Sequence, residues 1–332
     1  MKFLIAGLGS IGRRHLRNLR ALGEQDILLY RTHNATLPDD ELFGIPVETD
    51  LRRALDRKPD AVIIANPTAL HLDVAIPAAE AGCHILLEKP VSASLDRLDE
   101  LQAALQRGGG KVTGGFQFRF HPGLQRIKGL LEAEAIGTPV SARATWGDYL
   151  PGWHPWEDYH QTYAARPDLG GGVVLTLCHP LDYLHWMLGE AEAVAAFTGQ
   201  QGLGLEVVDT AEIGIKFRNG MLASVHLDYV RRPPQHSLEI VGTEGTITWD
   251  NADGAVRLAQ VGPDGKAGDW QLFPAPPGFE RNKMFLDEMR NFIEVIQGKA
   301  EPASTLEDEI YVLKLALAAM QAGREMRVEE VG

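Results

Sequence analysis

Residues 2–12 read KFLIAGLGSIG, an apolar run that breaks on Gly7, Gly9 and Gly12. The run Lys2–Ala6 predicts a strand buried on both faces, and Ile11–Leu22 predicts the helix after it. Between them the glycines stand in GxGxxG spacing. Gly7 allows a tight turn, Gly9 lets backbone approach a pyrophosphate, and Gly12 lets the helix pack closely on the sheet. The amides at the helix start, around Ser10 and Ile11, can then face the phosphates. With a strand before and a helix after, the stretch predicts a dinucleotide site rather than an unliganded glycine turn.

Outward from this stretch, short apolar runs alternate with helical patterns. Ile27–Tyr30, Ala61–Ala65 and His84–Leu87 predict strands, and Val112–Phe116 could add one more. Leu51–Leu55, His71–Ala81 and Leu95–Gln106 predict helices. Nearly continuous apolar strands alternating with helices mean a parallel sheet covered on both faces. Residues 1–118 are therefore expected to form an α/β Rossmann domain.

Ligands of such sheets gather beyond the C-terminal ends of the strands. That edge carries Tyr30-Arg31, Asn66-Pro67-Thr68 with His71 close behind, and Glu88-Lys89 before Pro90. All but Pro90 are taken as cofactor contacts. An acidic residue usually closes the second strand to hold the ribose hydroxyls of NAD, but Glu24 and Asp26 come too early. Arg31 suits a 2′-phosphate instead, with Thr32 and His33 beside it, which favours NADP(H) over NAD(H). The plain alternative is a solvated arginine beside the adenine. Lys89 can donate to a substrate oxygen, although a charged tripeptide after a strand also fits a solvated turn.

Character changes near Arg119, and residues 119–332 read as a second, α+β domain with a mainly antiparallel sheet. VVDTAEIGIKF (207–217) alternates, Asn219-Gly220 turns the chain, and MLASVHLDY follows. This is the strongest hairpin signal present. HSLEIVG and TITWD, around Thr243-Glu244-Gly245, predict a second hairpin, and VRLAQV (256–261) continues it. Gly262–Gly278 is rich in Gly and Pro and reads as loop. Arg281–Ile296 and Leu306–Met320 have helical periodicity and are candidates to pack back on the first domain.

The 332 residues are 45% hydrophobic and 23% charged, enough apolar material for real cores. A formal net charge of -13 does not attract nucleic acid through the bulk field. Cys83 and Cys178, the two cysteines, form no CxxC pair and join no ligand cluster, which suits a reducing compartment. No leader and no membrane-spanning run is read, so the expected location is cytoplasmic with no membrane partner. No HExxH or comparable cluster points to a metal.

Taken together, GLGSIG at 7–12, EKP at 88–90 and GGG at 170–172 followed by His179 resemble the glucose–fructose oxidoreductase / inositol dehydrogenase family, Gfo/Idh/MocA. The resemblance covers most of the chain. It implies a Rossmann domain followed by a domain with a large, mostly antiparallel sheet that often serves oligomerisation, here as a homodimer or homotetramer. It implies hydride transfer between nicotinamide and a hydroxyl-bearing carbon of a sugar or cyclitol. Lys89 stands at the family's catalytic lysine, His179 at its proton donor or acceptor, and Asp182 at the acid of HxxD. Many members carry an aspartate shortly before that histidine. Here Leu175 or Thr176 stands in its place, and Thr176 offers a hydrogen bond but no charge.

The stretch from Trp153 to Tyr159, just before Tyr163, suits a sugar: aromatic faces for the ring, with His154, Glu157 and Asp158 for hydroxyls. Trp153, His154, Tyr159 and Tyr163 are therefore candidate substrate contacts, with Thr176, Asp182 and Arg166, the last for a carboxylate or phosphate. The aromatics could equally pack as structure, and Arg166 could simply pair with Asp168. The stretch is similar to members tied to surface-polysaccharide biosynthesis. Two other classes stay open: a non-catalytic NAD(P)-binding regulator or scaffold, and an imine or biliverdin-like reductase.

Overall fold

The computed structural model describes residues 1–32, 42, 44–262, 264–266 and 268–332. His33 lies outside the described residues. They divide into two units, the first holding Met1–Gln117, Asp168–Gly170 and Arg281–Leu313. Its elements are β1 (Lys2–Ala6), α1 (Ser10–Ala21), β2 (Asp26–Tyr30), β3 (Val47–Glu48), α2 (Leu51–Asp56), β4 (Ala61–Ile64), α3 (His71–Glu80), β5 (His84–Leu87), α4 (Leu98–Gly108) and β6 (Val112–Gly114). The six described strands pair in parallel, in the order β3-β2-β1-β4-β5-β6. The order reverses between β1 and β4, and the loops after those two strands flank the resulting crevice.

The strands read as continuous apolar runs because helices cover both faces. Leu4, Ile5, Val62, Ile63, Ile85 and Leu86 are all buried, each side chain worth about 1.5–3 kcal/mol in transfer free energy. Gly12, Leu16 and Leu19 form the stripe of α1 that meets the sheet. α2 starts cleanly because the Asp50 carboxylate accepts from the Arg53 amide at 2.9 Å.

The second unit holds Phe118–Pro167, Gly171–Glu280 and Lys314–Gly332. It contains α5 (Pro122–Glu132), β7 (Pro139–Tyr149), α6 (Val173–Thr176), α7 (His179–Leu188), β8 (Ala191–Gly199), β9 (Thr210–Phe217), β10 (Leu222–Asp228), β11 (Val230–Gly242), β12 (Gly245–Asp250), β13 (Val256–Gln260) and β14 (Gln271–Phe273). α8 (Asn282–Ile296) then belongs to the first unit, where Met289 and Phe292 join Phe3, Ile5, Leu16 and Leu19 in one core cluster. α9 (Leu306–Glu325) gives its residues up to Leu313 to the first unit and the rest to the second, which β15 (Glu329–Glu330) completes.

The nine-stranded sheet runs β14-β13-β12-β11-β7-β10-β9-β8-β15, and among the described residues only the β7–β10 pair is parallel. Asn219 makes the β9–β10 turn, its side-chain oxygen accepting from the Met221 amide at 3.1 Å while Gly220 sits at φ +88°. β14 corrects the expectation that 262–278 is all loop. Its three residues pair with β13 as an edge strand too short to show a period. Register sorts the faces. Ala144, Trp146, Val225, Ile213, Leu238, Ile247 and Trp249 point into the buried side, which α5, α6 and α7 cover. Arg143, Glu212, Lys216, Leu222, His226 and Glu239 alternate with them on the other side.

Candidate active site

In the first unit, the glycine turn is sterically locked. A Cβ on Gly7, at φ +90°, would come within 2.5 Å of the Asn66 nitrogen. One on Gly12 would come within 2.0 Å of the Gly7 carbonyl oxygen. The turn therefore lies directly on the loop after β4 and under the start of α1. Gly9 is different: a Cβ there meets nothing within 4 Å, so backbone is bare toward open space. Gly9 also heads α1 with no side-chain cap, and the first turn carries no acid. Uncapped amides beside bare backbone suit an anion, so Gly7, Gly9, Ser10, Ile11 and Gly12 fit a dinucleotide pyrophosphate. The Arg13 side chain, buried, donates to the Leu8 carbonyl at 3.0 Å and braces the same turn.

The other edge residues fall around this turn. Tyr30 ends β2, and its carbonyl accepts from the Gly7 amide at 3.2 Å. Arg31 is next, only 8% exposed. Glu48, the register partner of Tyr30, bonds Arg57 through its carboxylate at 2.8 Å. Asn66 holds its loop by donating to the Leu70 carbonyl at 2.9 Å; Pro67 and buried Thr68 follow. The His71 ring lies 3.0 Å from the Pro90 carbonyl oxygen through Nδ1 and 3.0 Å from the Asn66 carbonyl oxygen through Nε2. Burial pushes its pKa below the usual imidazole range. Lys89 follows β5 between Glu88 and Pro90. His15 Nε2 lies 2.8 Å from the Glu88 carboxylate in a buried hydrogen bond.

In the second unit, His179 opens α7 and is buried. Its ring meets Phe118 edge-on at 4.9 Å and stacks on Trp146 at 5.4 Å. Trp146 also stacks on His236 at 4.5 Å with an interplanar angle of 4°. The register explains this, because His236 of β11 stands opposite Trp146 of β7. The Asp182 carboxylate is wholly buried and accepts from Arg119 Nη2 at 2.6 Å and Nε at 3.0 Å. Thr176 lies beside the Tyr229 hydroxyl, which burial keeps protonated.

The family description "Oxidoreductase family, NAD-binding Rossmann fold" matches residues 1–116, and "GFO/IDH/MocA C-terminal domain" matches residues 124–248. The chain belongs to the Gfo/Idh/MocA oxidoreductase family. The uncharacterized oxidoreductase YrbE of Bacillus subtilis (strain 168) is 31% identical over 334 residues, 96% of this chain and 93% of that protein. The 1,5-anhydro-D-fructose reductase of Ensifer adhaerens is 28% identical over 284 residues, 83% of this chain and 81% of that protein. Levoglucosan dehydrogenase in complex with NADH and L-sorbose shares the fold, with a TM-score of 0.87 at 20% identity, covering 100% of this chain and 99% of that one.

Within this Gfo/Idh/MocA chain the aromatic stretch 153–163 does not converge on one point. Trp153 packs edge-on against buried Tyr229 at 5.9 Å. His154 lies against Trp156, which is 64% exposed. Tyr159 donates to the Leu203 carbonyl at 3.3 Å. Tyr163 is partly exposed, and it, Ala164 and Arg166 turn their carbonyls toward Gly171, where a Cβ would come within 2.8 Å of all three oxygens.

Sequence reasoning missed Trp146, His236, Arg119 and Tyr229 around His179, and it missed a buried acid group in the first unit. Glu288 of α8 and Glu309 of α9 are both 0% exposed. Burial, with the charges of Glu88 and Glu309, pushes the Glu288 carboxyl well above the usual carboxylate range. An acid at an otherwise apolar helix position was the available signal. Among the described residues no group of three or more His, Cys, Asp or Glu is arranged to hold a metal, and no helix is long and apolar enough to cross a membrane.

Proposed function

We propose that this oxidoreductase moves hydride between nicotinamide and a hydroxyl-bearing carbon of a sugar or sugar derivative, with NADP(H) preferred over NAD(H). The substrate class is supported by relatives named for sugar or cyclitol chemistry, among them the anhydrofructose reductase and the myo-inositol 2-dehydrogenase of Thermotoga maritima, 26% identical over 351 residues. The cofactor preference is supported by the end of β2, where Arg31 stands in place of an acid and Glu48 is committed to Arg57.

Gly7, Gly9, Ser10, Ile11 and Gly12 would hold the dinucleotide, which when bound would accept or supply the hydride. The chain's own residues handle the oxygen and its proton. In oxidation the His179 imidazole accepts the hydroxyl proton as the C–H bond breaks with its electron pair, and the hydroxyl becomes a carbonyl. The Lys89 ammonium stabilises the negative charge that builds on that oxygen. Reduction runs the same steps backwards. The observation that carries this assignment is the position of Lys89, a lysine on a braced loop at the strand edge where dinucleotides bind. The same reading makes the protein a homodimer or homotetramer through the open sheet face, where Phe197, Leu222 and Leu272 stand exposed. Sedimentation that finds monomers alone would retire that part.

The test is steady-state kinetics on a sugar and cyclitol panel with NADPH and NADH. Lys89→Met and His179→Ala should each lower kcat by roughly 10²–10⁴-fold while nicotinamide fluorescence still reports cofactor binding. Near-normal turnover in both variants, with intact folding, would overturn the residue roles. Tighter binding of NADH than of NADPH would overturn the cofactor preference.

A further inference from the structure

Lys89 sits in a loop whose neighbours on either side are each gripped by a buried histidine. Before it, Glu88 receives a hydrogen bond from His15 Nε2 at 2.8 Å. After it, the Pro90 carbonyl oxygen lies 3.0 Å from His71 Nδ1. Each histidine belongs to an element of the nucleotide site. His15 is on α1, whose first turn forms the phosphate cradle, and His71 opens α3 and also meets the Asn66 carbonyl oxygen at 3.0 Å. Both are wholly or almost wholly buried.

The surroundings explain why the Glu88 grip matters. Gly115 makes room for the side chain: a Cβ there would lie 2.9 Å from the Glu88 Cα and 3.2 Å from its Oε2. Around Glu88 stand Glu288 from α8 and, beside that, Glu309 from α9, with Arg14 and His71 as the other groups that feel its charge. The hydrogen bond with His15 fixes Glu88 in one place and orientation among these buried acids. A lysine meant to meet a developing alkoxide needs its backbone fixed to a fraction of an ångström.

We propose that His15, through Glu88, and His71, through the Pro90 carbonyl, are positioning residues that hold Lys89 in register with the nucleotide site. The inference rests on the assignment of Lys89 as a catalytic residue. It goes beyond that assignment by naming what sets the lysine's place.

A double-variant cycle tests it: His15→Gln, Glu88→Gln, the pair together, and His71→Gln on its own, with Lys89→Met as reference. Melting curves and NADPH titration confirm folding and cofactor binding. Each single variant should lose roughly ten- to a hundredfold in kcat, measured at saturating NADPH, with substrate KM changed less than about threefold. The double variant should be no slower than the slower single, because both act through one contact. If Lys89→Met turns over normally, the lysine assignment itself falls. If Lys89→Met is inactive but the histidine variants keep wild-type kcat, or change only KM and melting temperature, the positioning inference falls. If either His15→Gln or His71→Gln does not fold, the other decides by the same criteria.

Discussion

The two units of this chain bury polar groups by opposite means. The first hides carboxyls at an apolar sheet edge, where burial raises the Glu288 pKa and neither of its oxygens is hydrogen-bonded among the described residues. The second hides full charges and meets them, Arg119 against Asp182, and stacks imidazoles on tryptophan. A raised carboxyl pKa ties stability to pH, while removal of one partner of a buried ion pair leaves an uncompensated buried charge. The first arrangement is therefore sensitive to pH and the second to substitution.

The sharpest way to break that contrast is the ion pair. Asp182→Asn removes the charge that meets Arg119 in a site with almost no solvent, and should cost about 3–5 kcal/mol of stability. Chemical denaturation at neutral pH reads it directly. Replacing both partners together, Arg119→Met with Asp182→Leu, should recover most of that loss, because no charge then remains to be matched. A single variant within about 0.5 kcal/mol of wild type would mean that the pair is dispensable and the contrast false.

Glu288→Gln probes the other half. Its folded-state pKa lies above the ordinary 4.5, so stability is fully present below that value and falls as pH rises toward the folded value. The amide cannot ionise and lacks this slope. Wild type should therefore lose about 1.4 kcal/mol per pH unit relative to the variant across that window. A constant offset of up to about 2 kcal/mol can accompany the swap, since an amide has its own polar atoms to satisfy. The slope is the signature, and parallel stability–pH curves would show that Glu288 is ionised in the fold.

The same contrast explains what the sequence could and could not reveal. The first unit's candidate site draws on short contiguous pieces at strand ends, Gly7–Gly12, Asn66–Thr68 and Glu88–Pro90, so motif and strand pattern lie together on one line of text. The second unit's site is built across strands and helices. Trp146 meets His236 only through the β7–β11 register, and Arg119 meets Asp182 only after α7 folds back beside α5. His179 is a candidate by resemblance alone, while Trp146 and His236 beside it fall at strand positions that look like ordinary core. Asp182, expected at substrate, is an acid whose charge Arg119 meets. Helix α8 shows its amphipathic period plainly, but no local signal says that its apolar stripe completes the Rossmann core.

The smallest effect belongs to the exposed sheet face, where charges cluster in reach of water. His226 lies between Asp228, 2.8 Å from Nε2, and Glu212 at Nδ1, and Arg231 also reaches Asp228 at 2.9 Å. The hydrogen bond to Asp228 is the main cause that raises the His226 pKa above its ordinary 6.5, ahead of Glu212. A raised imidazole pKa stabilises the fold below 6.5, and that contribution is lost as pH climbs through the raised value. The ring is partly exposed and Glu212 is mostly so, and solvent screens such pairs strongly. His226→Gln should therefore cost only about 0.5 kcal/mol on the acid side, with variant and wild type converging on the alkaline side. Added salt should shrink even that difference. A loss comparable to that of Asp182→Asn would mean that this face is covered in solution, because only removal from water lets such a pair count as heavily as the buried one.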